Sequence, residues 1–199
     1  MSPLNDEQLH QIRDERREQI MRAAMKVFAH KGSAGTKMSM IAAEARISHG
    51  LLYHYFKSKD ALFNALVREA MEGAALELGK INHLQGSPLE KIRALTEAIL
   101  DEGGSSYFMF IHQARTSDGV PEEAKRLLEQ YPMQAFVEQL LPLFAAGQQA
   151  GEIAADDPEE LIASYLTVLS GIMIISGHHG AGYRVPKVEM LMRMVTAPK

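Results

Sequence analysis

The chain has 199 residues, 46% of them hydrophobic and 23% charged, with no cysteine. This is ordinary globular composition, enough for a core without covalent staples, and it excludes disulfides, thiolate metal sites and cysteine nucleophiles. The net charge of −4 argues against indiscriminate nucleic-acid binding, yet residues 1–60 hold ten Lys/Arg and seven Asp/Glu, whereas 61–199 hold eleven and eighteen. A mildly basic head on an acidic body fits a small DNA reader on a domain of other purpose, although chance produces the same split.

The longest apolar run, Tyr165 to Gly177, is too short and too rich in Ser and Thr to be expected to cross a membrane. The polar N-terminus has no apolar segment of the kind that a secretion signal needs.

Helical periodicity dominates, and no alternating run suggests a sheet. A first helix is predicted from about Asp14 to His30, with Ile20, Ala24, Val27 and Phe28 on one stripe and Gly32 at its end. Thr36 is the expected cap of a short second helix whose inward face is Met38, Ile41, Ala42 and Ala45. Arg46-Ile47-Ser48 reads as a tight turn, with Ser48 capping a third helix over His49–Tyr55. A long fourth helix follows from Lys59 to about Asn82.

Beyond it, Ser87-Pro88-Leu89-Glu90 reads as a capping box opening a helix that stops at Gly103-Gly104. Another runs over about Ser105–Ser117. A long one starts at Pro121 and reaches about Gly151, with Pro132 and Pro142 expected to kink or split it. Asp157-Pro158-Glu159-Glu160 starts a helix to about Ser176, Gly177 to Tyr183 is a loop, and Pro186 opens a last helix to about Val195. The fold class is all-α, with three short to medium helices followed by about six longer ones.

The informative stretch is TKMSMIAAEARISHGLLYHYFKSKDAL, residues 36–62. Small inward residues Ala42 and Ala45 let a second short helix cross the first closely. That helix is too short to stand alone, so Leu52 and Phe56 must anchor it. Its outer face then shows His49, Gly50, Leu51, Tyr53, His54 and Tyr55. In helix-turn-helix geometry such a face lies in the major groove.

Thr36, Ile41-Ala42, Ala45, Ile47-Ser48, Gly50, Leu52-Tyr53, Tyr55-Phe56, Lys59 and Leu62, preceded by Phe28 and Gly32, resemble the TetR/AcrR family of bacterial transcriptional regulators over roughly residues 14–65. The resemblance implies an N-terminal three-helix DNA-binding domain at 1–58 and a larger helical domain at 59–199 for dimerisation and ligand sensing. The implied function is a cytoplasmic, homodimeric, sequence-specific repressor of a near-palindromic double-stranded operator, relieved by a small-molecule effector, with no catalysis, cofactor, metal or membrane.

By resemblance, Thr36 and Ser39 lie near the DNA, His49, Gly50 and Leu51 face the bases, and Tyr53, His54, Tyr55 and Lys59 hold phosphates, while Ser48 starts the recognition helix. Tyr53 reads alternatively as a core aromatic and His54 as a merely solvated one. Arg46 departs from the family, which has glycine there. It either pays for a positive φ or contacts phosphate.

In the body, Tyr107, Phe108, His112, Arg115, Met133, Phe136 and Tyr165 are candidate ligand contacts, with an ordinary Met-rich core as the alternative. The final helices are expected to pair with a second copy. A di-iron bundle enzyme needs two Glu-x-x-His motifs, and only Glu7 to His10 occurs. His178-His179 has no spaced carboxylate beside it, and no phosphate loop or nucleophile elbow is present. A protein-only adaptor gives no reason for the 36–62 string.

Overall fold

The computed structural model describes residues 6–100, 104–179 and 183–198. Among these the chain forms α1 (Asp6–Gly35), α2 (Met38–Glu44), α3 (His49–Tyr55), α4 (Lys59–Ile81), α5 (Pro88–Leu100), α6 (Gly104–Thr116), α7 (Glu122–Glu129), α8 (Met133–Gln149), α9 (Pro158–His179) and α10 (Val188–Met192). They fall into two compact units, one of residues 1–68 with 110–125 and one of 69–109 with 126–199.

α1 begins at Asp6 rather than near Asp14. Residues 7–18 are exposed apart from half-buried Arg16, so local side-chain bonds support this stretch: Gln11 to Glu15 at 3.1 Å and Arg22 to Glu18 at 3.2 Å. The expected stripe follows, with Ile20, Ala24 and Phe28 fully buried. At Gly32 the backbone reaches φ 64°, ψ 178°, a conformation essentially confined to glycine, which breaks the helix.

The first unit does not stop at residue 58. Its core needs the first turns of α4 and the end of α6. Phe28 meets Phe63 edge-on at 4.9 Å, and Phe110 packs on both at 6.2 and 5.2 Å. The carboxylate of Glu123 holds α4 from outside, accepting from Asn64 Nδ2 at 2.7 Å and Arg68 at 3.1 Å.

The second unit is built round α8 packed on α9 with α5 alongside. The capping box at α5 forms: Ser87 N–H donates to Glu90 Oε2 at 2.8 Å, and Glu90 N–H to Ser87 Oγ at 3.4 Å. The two prolines act differently. Pro132 splits the expected long helix by becoming the extended cap of α8, whereas Pro142 is accommodated inside α8. Asp157 caps α9 as expected, accepting from Glu160 N–H at 3.0 Å.

α9 continues to His179, beyond the expected stop at Ser176, and α10 is shorter than expected. The side chains of His178 and His179 and the expected loop residues 180–182 lie outside the described residues. Gly147 permits a close approach, since a Cβ there would fall 2.7 Å from Ile153 Cγ1. Backbone bonds from Ala154 N–H to Val195 O (2.9 Å) and from Ala197 N–H to Glu152 O (3.0 Å) tie the C-terminal segment to the α8–α9 turn.

By length and composition Pro158–Ser176 is apolar enough to cross a membrane, although Ser and Thr interrupt its apolar runs. Only a third of that stretch is buried.

Candidate nucleic-acid interface

α2 ends as a Schellman turn. Arg46 N–H donates to Ala43 O and Ile47 N–H to Ala42 O, both at 3.0 Å, with Arg46 at φ 53°. Arg46 therefore occupies the left-handed position. Among the described residues it is the one non-glycine there. Its side chain is exposed, so the strain is not offset by packing. Arg46→Gly is expected to raise stability by about 0.5–1 kcal/mol, read as a higher urea midpoint at unchanged slope. Gln19 fastens the turn from α1, donating to Ala45 O at 2.7 Å.

Ser48 caps α3, its Oγ accepting from Leu51 N–H at 3.2 Å. Leu52 and Phe56 are buried at 0% and 7% exposure, as their spacing requires, and Arg17 lies 5.8 Å over the Phe56 ring. The opposite face is open. His49, Gly50, Leu51, Tyr53 and His54 are exposed and Tyr55 is half-buried. At 39% exposure Tyr53 is not a core aromatic. Its ring stands edge-on to His49 at 4.8 Å, and that of His54 edge-on to Tyr55 at 5.6 Å.

A Cβ at Gly50 would meet nothing within 4 Å. The fold gives no reason for glycine there, whereas close approach to an external surface does.

Two expected members behave differently. Thr36 is not a surface contact. It is 2% exposed, and its hydroxyl donates to Gly32 O at 2.7 Å, locking the chain after the glycine break. The cap of α2 is instead Lys37, which makes no side-chain capping bond. Lys59 is half-buried with Nζ 2.7 Å from Ser33 O, so it secures α1 to α4, with further ammonium donors left over. Ser39 and Arg46 are exposed on the same helix-turn-helix. Lys57 is an exposed cation after α3 that its spacing does not mark.

The body candidates are divided between the two units. His112 (half-buried) and Arg115 (exposed) lie in the first unit. Tyr107, Phe108, Met133, Phe136 and Tyr165 lie in the second. Tyr107 is half-buried and donates to Ala70 O at 2.7 Å, with Phe108 edge-on at 5.5 Å. Met133 is 47% exposed, and half-buried Phe136 packs on the core.

Tyr165 is a core residue, 1% exposed. Its hydroxyl lies 2.8 Å from Thr96 Oγ1, which donates to Ile92 O at 2.8 Å and so accepts from the tyrosine. Burial pushes the phenol up to about 12, so it stays neutral, as a donor to Thr96 must be. Its hydroxyl is thus satisfied within the core, which leaves it no free polar group for a ligand. Among the described residues no three His, Asp or Glu side chains gather as a metal site.

Residues 20–66 match the family model of bacterial regulatory proteins, tetR family. The chain is 27% identical to the HTH-type transcriptional regulator BetI of Rhizobium meliloti over 165 residues, 80% of this chain and 76% of that protein. It is 32% identical to the HTH-type transcriptional repressor KstR2 of Mycolicibacterium smegmatis over 123 residues, which spans 62% of this chain and little more than half (56%) of that relative. Both are named as regulators of transcription rather than as enzymes.

The fold matches a TetR-family regulator from Agrobacterium tumefaciens with a TM-score of 0.70 at 16% identity, over 92% of this chain and 99% of that one. It also matches a transcriptional regulator from Saccharomonospora viridis in complex with choline, with a TM-score of 0.69 at 17% identity, over 93% and 100%.

Proposed function

We propose that this chain, whose residues 20–66 match the tetR family model, is a TetR-family, sequence-specific repressor of transcription that a small molecule releases from DNA. The observation that carries the reading is α3 itself, anchored inward by Leu52 and Phe56 while His49, Gly50, Leu51, Tyr53 and His54 stand open. In this reading His49 and Leu51 address base edges and Gly50 lets the backbone approach. Tyr53, His54, Tyr55, Ser39, Arg46 and the spare donors of Lys59 hold phosphates.

The working form is a homodimer in the cytoplasm, paired through the final helices, and only a third of the apolar stretch of α9 is buried within the protomer. Two-fold pairing sets the recognition helices about 34–36 Å apart, one DNA turn, and so selects a near-palindromic operator. The body receives the effector, with Tyr107, Phe108, Met133 and Phe136 of the second unit as candidate contacts. The Saccharomonospora viridis regulator is in complex with choline, and KstR2 of Mycobacterium tuberculosis, which has the same fold, is named a ketosteroid transcriptional regulator. A small organic effector is the corresponding proposal here. Because α4 is one continuous helix from Lys59 to Ile81, effector and operator affinities are coupled reciprocally.

Footprinting on the flanking genomic DNA tests the reading. Protection of a two-half-site element is expected, with affinity falling steeply as salt rises. Tyr53→Phe is expected to weaken binding about equally on every sequence. Equal affinity for the protected region and for random duplex sinks the proposal.

A further inference from the structure

α3, HGLLYHY, carries no fixed charge. Its polar outer groups are two imidazoles and two phenols. His49 and His54 are both exposed, and among the described residues each has only a ring contact, to Tyr53 and to Tyr55 respectively, with no hydrogen bond or ion pair.

The charged groups on the neighbouring elements leave them so. α2, which packs on α3, offers Glu44, 3.8 Å from Lys26 of α1. Arg17 of α1 lies over the Phe56 ring. The turn before α3 holds exposed Arg46, and the link after it holds exposed Lys57. At the start of α4, Lys59 is bonded to Ser33 O, and Asp60 is exposed.

From this juxtaposition, and resting on the proposed DNA-reading role of α3, we propose that the proton is a ligand of the recognition surface: protonation of His49 and His54 strengthens operator binding and changes the base that His49 selects. Histidine is the side-chain type that changes charge between about pH 5 and pH 8. A neutral imidazole offers one donor and one acceptor, whereas an imidazolium offers two donors and no acceptor.

In the major groove, adenine N6 and cytosine N4 are donors, and guanine shows only the N7 and O6 acceptors. Neutral His49 can accept from adenine N6 or cytosine N4 as well as donate, whereas charged His49 can only donate, which shifts its preference toward the two acceptors of guanine. His54, set toward phosphate, gains a charge-assisted bond when protonated. Binding a polyanion favours the charged form, so complex formation takes up protons. The added affinity is present at low pH and is lost as pH rises.

Full-length protein is used to select duplexes from a random-sequence pool at about pH 6 and at about pH 8, and affinities for the selected duplexes are then measured at both. Expected are a half-site position that turns to guanine in acid and an affinity at least about tenfold higher there. The salt slope should also be steeper in acid by about 0.9 for each further phosphate neutralised.

His49→Gln keeps a donor and an acceptor without titrating, and is expected to select one motif at both pH values. His54→Gln is expected to remove the steepening of the salt slope. His49→Asn and His54→Asn repeat both tests with a different side-chain length. The other six of the eight histidines remain in every variant, so a general charge effect persists and is subtracted. One motif at both pH values with the same affinity ratio in wild type and variants overturns the proposal and leaves the DNA-reading role standing. No enriched motif at either pH overturns both.

Discussion

Replacing Gly50 by glutamate is expected to abolish operator binding while the protein folds at least as stably as before. The two effects have opposite signs because they arise on opposite sides of one surface. Within the protomer a Cβ at position 50 meets nothing within 4 Å, so a longer side chain enters solvent. Glycine in a helix interior is about 0.5–1 kcal/mol worse than a good helix former, and a carboxylate in the first turn is favoured by the helix dipole.

Against DNA the same side chain occupies the space the backbone needs and sets a carboxylate beside phosphates. A loss of about 1.5–3 kcal/mol at each half-site is the scale of one specific contact removed, and a two-fold dimer incurs it twice. Affinity is therefore expected to fall by about 10²–10⁴-fold, measured by fluorescence anisotropy on the footprinted duplex, with the urea midpoint unchanged or raised. Wild-type affinity in Gly50→Glu would mean that α3 does not approach the duplex by this face. A collapse of stability would mean that the open space at Gly50 is filled in the protein's working form.

The α2–α3 segment was legible in the sequence because its determinants are local. Ser48 reaches the amide of Leu51 three residues on, and Leu52 and Phe56 are one helical turn apart. At Arg46 the sequence marks a departure from glycine and leaves its consequence open, and the structure shows the positive φ. The start signals at Ser87-Pro88 and Asp157-Pro158 are equally short-range.

Thr36 shows where such reading stops. It has the composition of a cap, but the break at Gly32 turns its hydroxyl back into the core, and no local pattern distinguishes the two uses. The groups that hold the helix-turn-helix in place bond across long separations: Gln19 to Ala45 O, Lys59 to Ser33 O, and Glu123 to Asn64 and Arg68. Periodicity carries no information about such pairs. Tyr165 is a similar case, since its partner Thr96 lies on another helix and its aromatic and polar character suits a pocket as well as a core. The start of α1 at Asp6 was also hidden, because an exposed helix held by local side-chain bonds has no apolar stripe to betray it.

Phe63→Ala is expected to be the most damaging core substitution in the first unit. Phe63 is 1% exposed and touches both other rings of the aromatic trio, at 4.9 Å from Phe28 and 5.2 Å from Phe110. Removing it leaves a ring-sized cavity, with an edge-to-face pair lost to Phe28 and a tilted pair lost to Phe110. Large-to-small aromatic substitutions of this kind cost about 3–5 kcal/mol. Set against a total stability of about 5–15 kcal/mol, that is enough to populate forms in which the helix-turn-helix is loosened.

The position decides which part suffers. Phe63 belongs to the core of residues 1–68 with 110–125, whereas the Thr96–Tyr165 pair and its apolar surroundings belong to the other unit. Amide exchange is therefore expected to accelerate through α1, α2 and α3 while the amides of α5, α8 and α9 stay protected, because local opening follows the core that has been weakened. Operator affinity falls with it, through the lost population of the binding-competent form rather than through any contact to DNA. Phe63→Leu, which keeps much of the apolar volume, is expected to recover most of both. Uniform loss of protection across both units would mean that the aromatic trio stabilises the chain as a whole and is not the private core of its DNA-facing part.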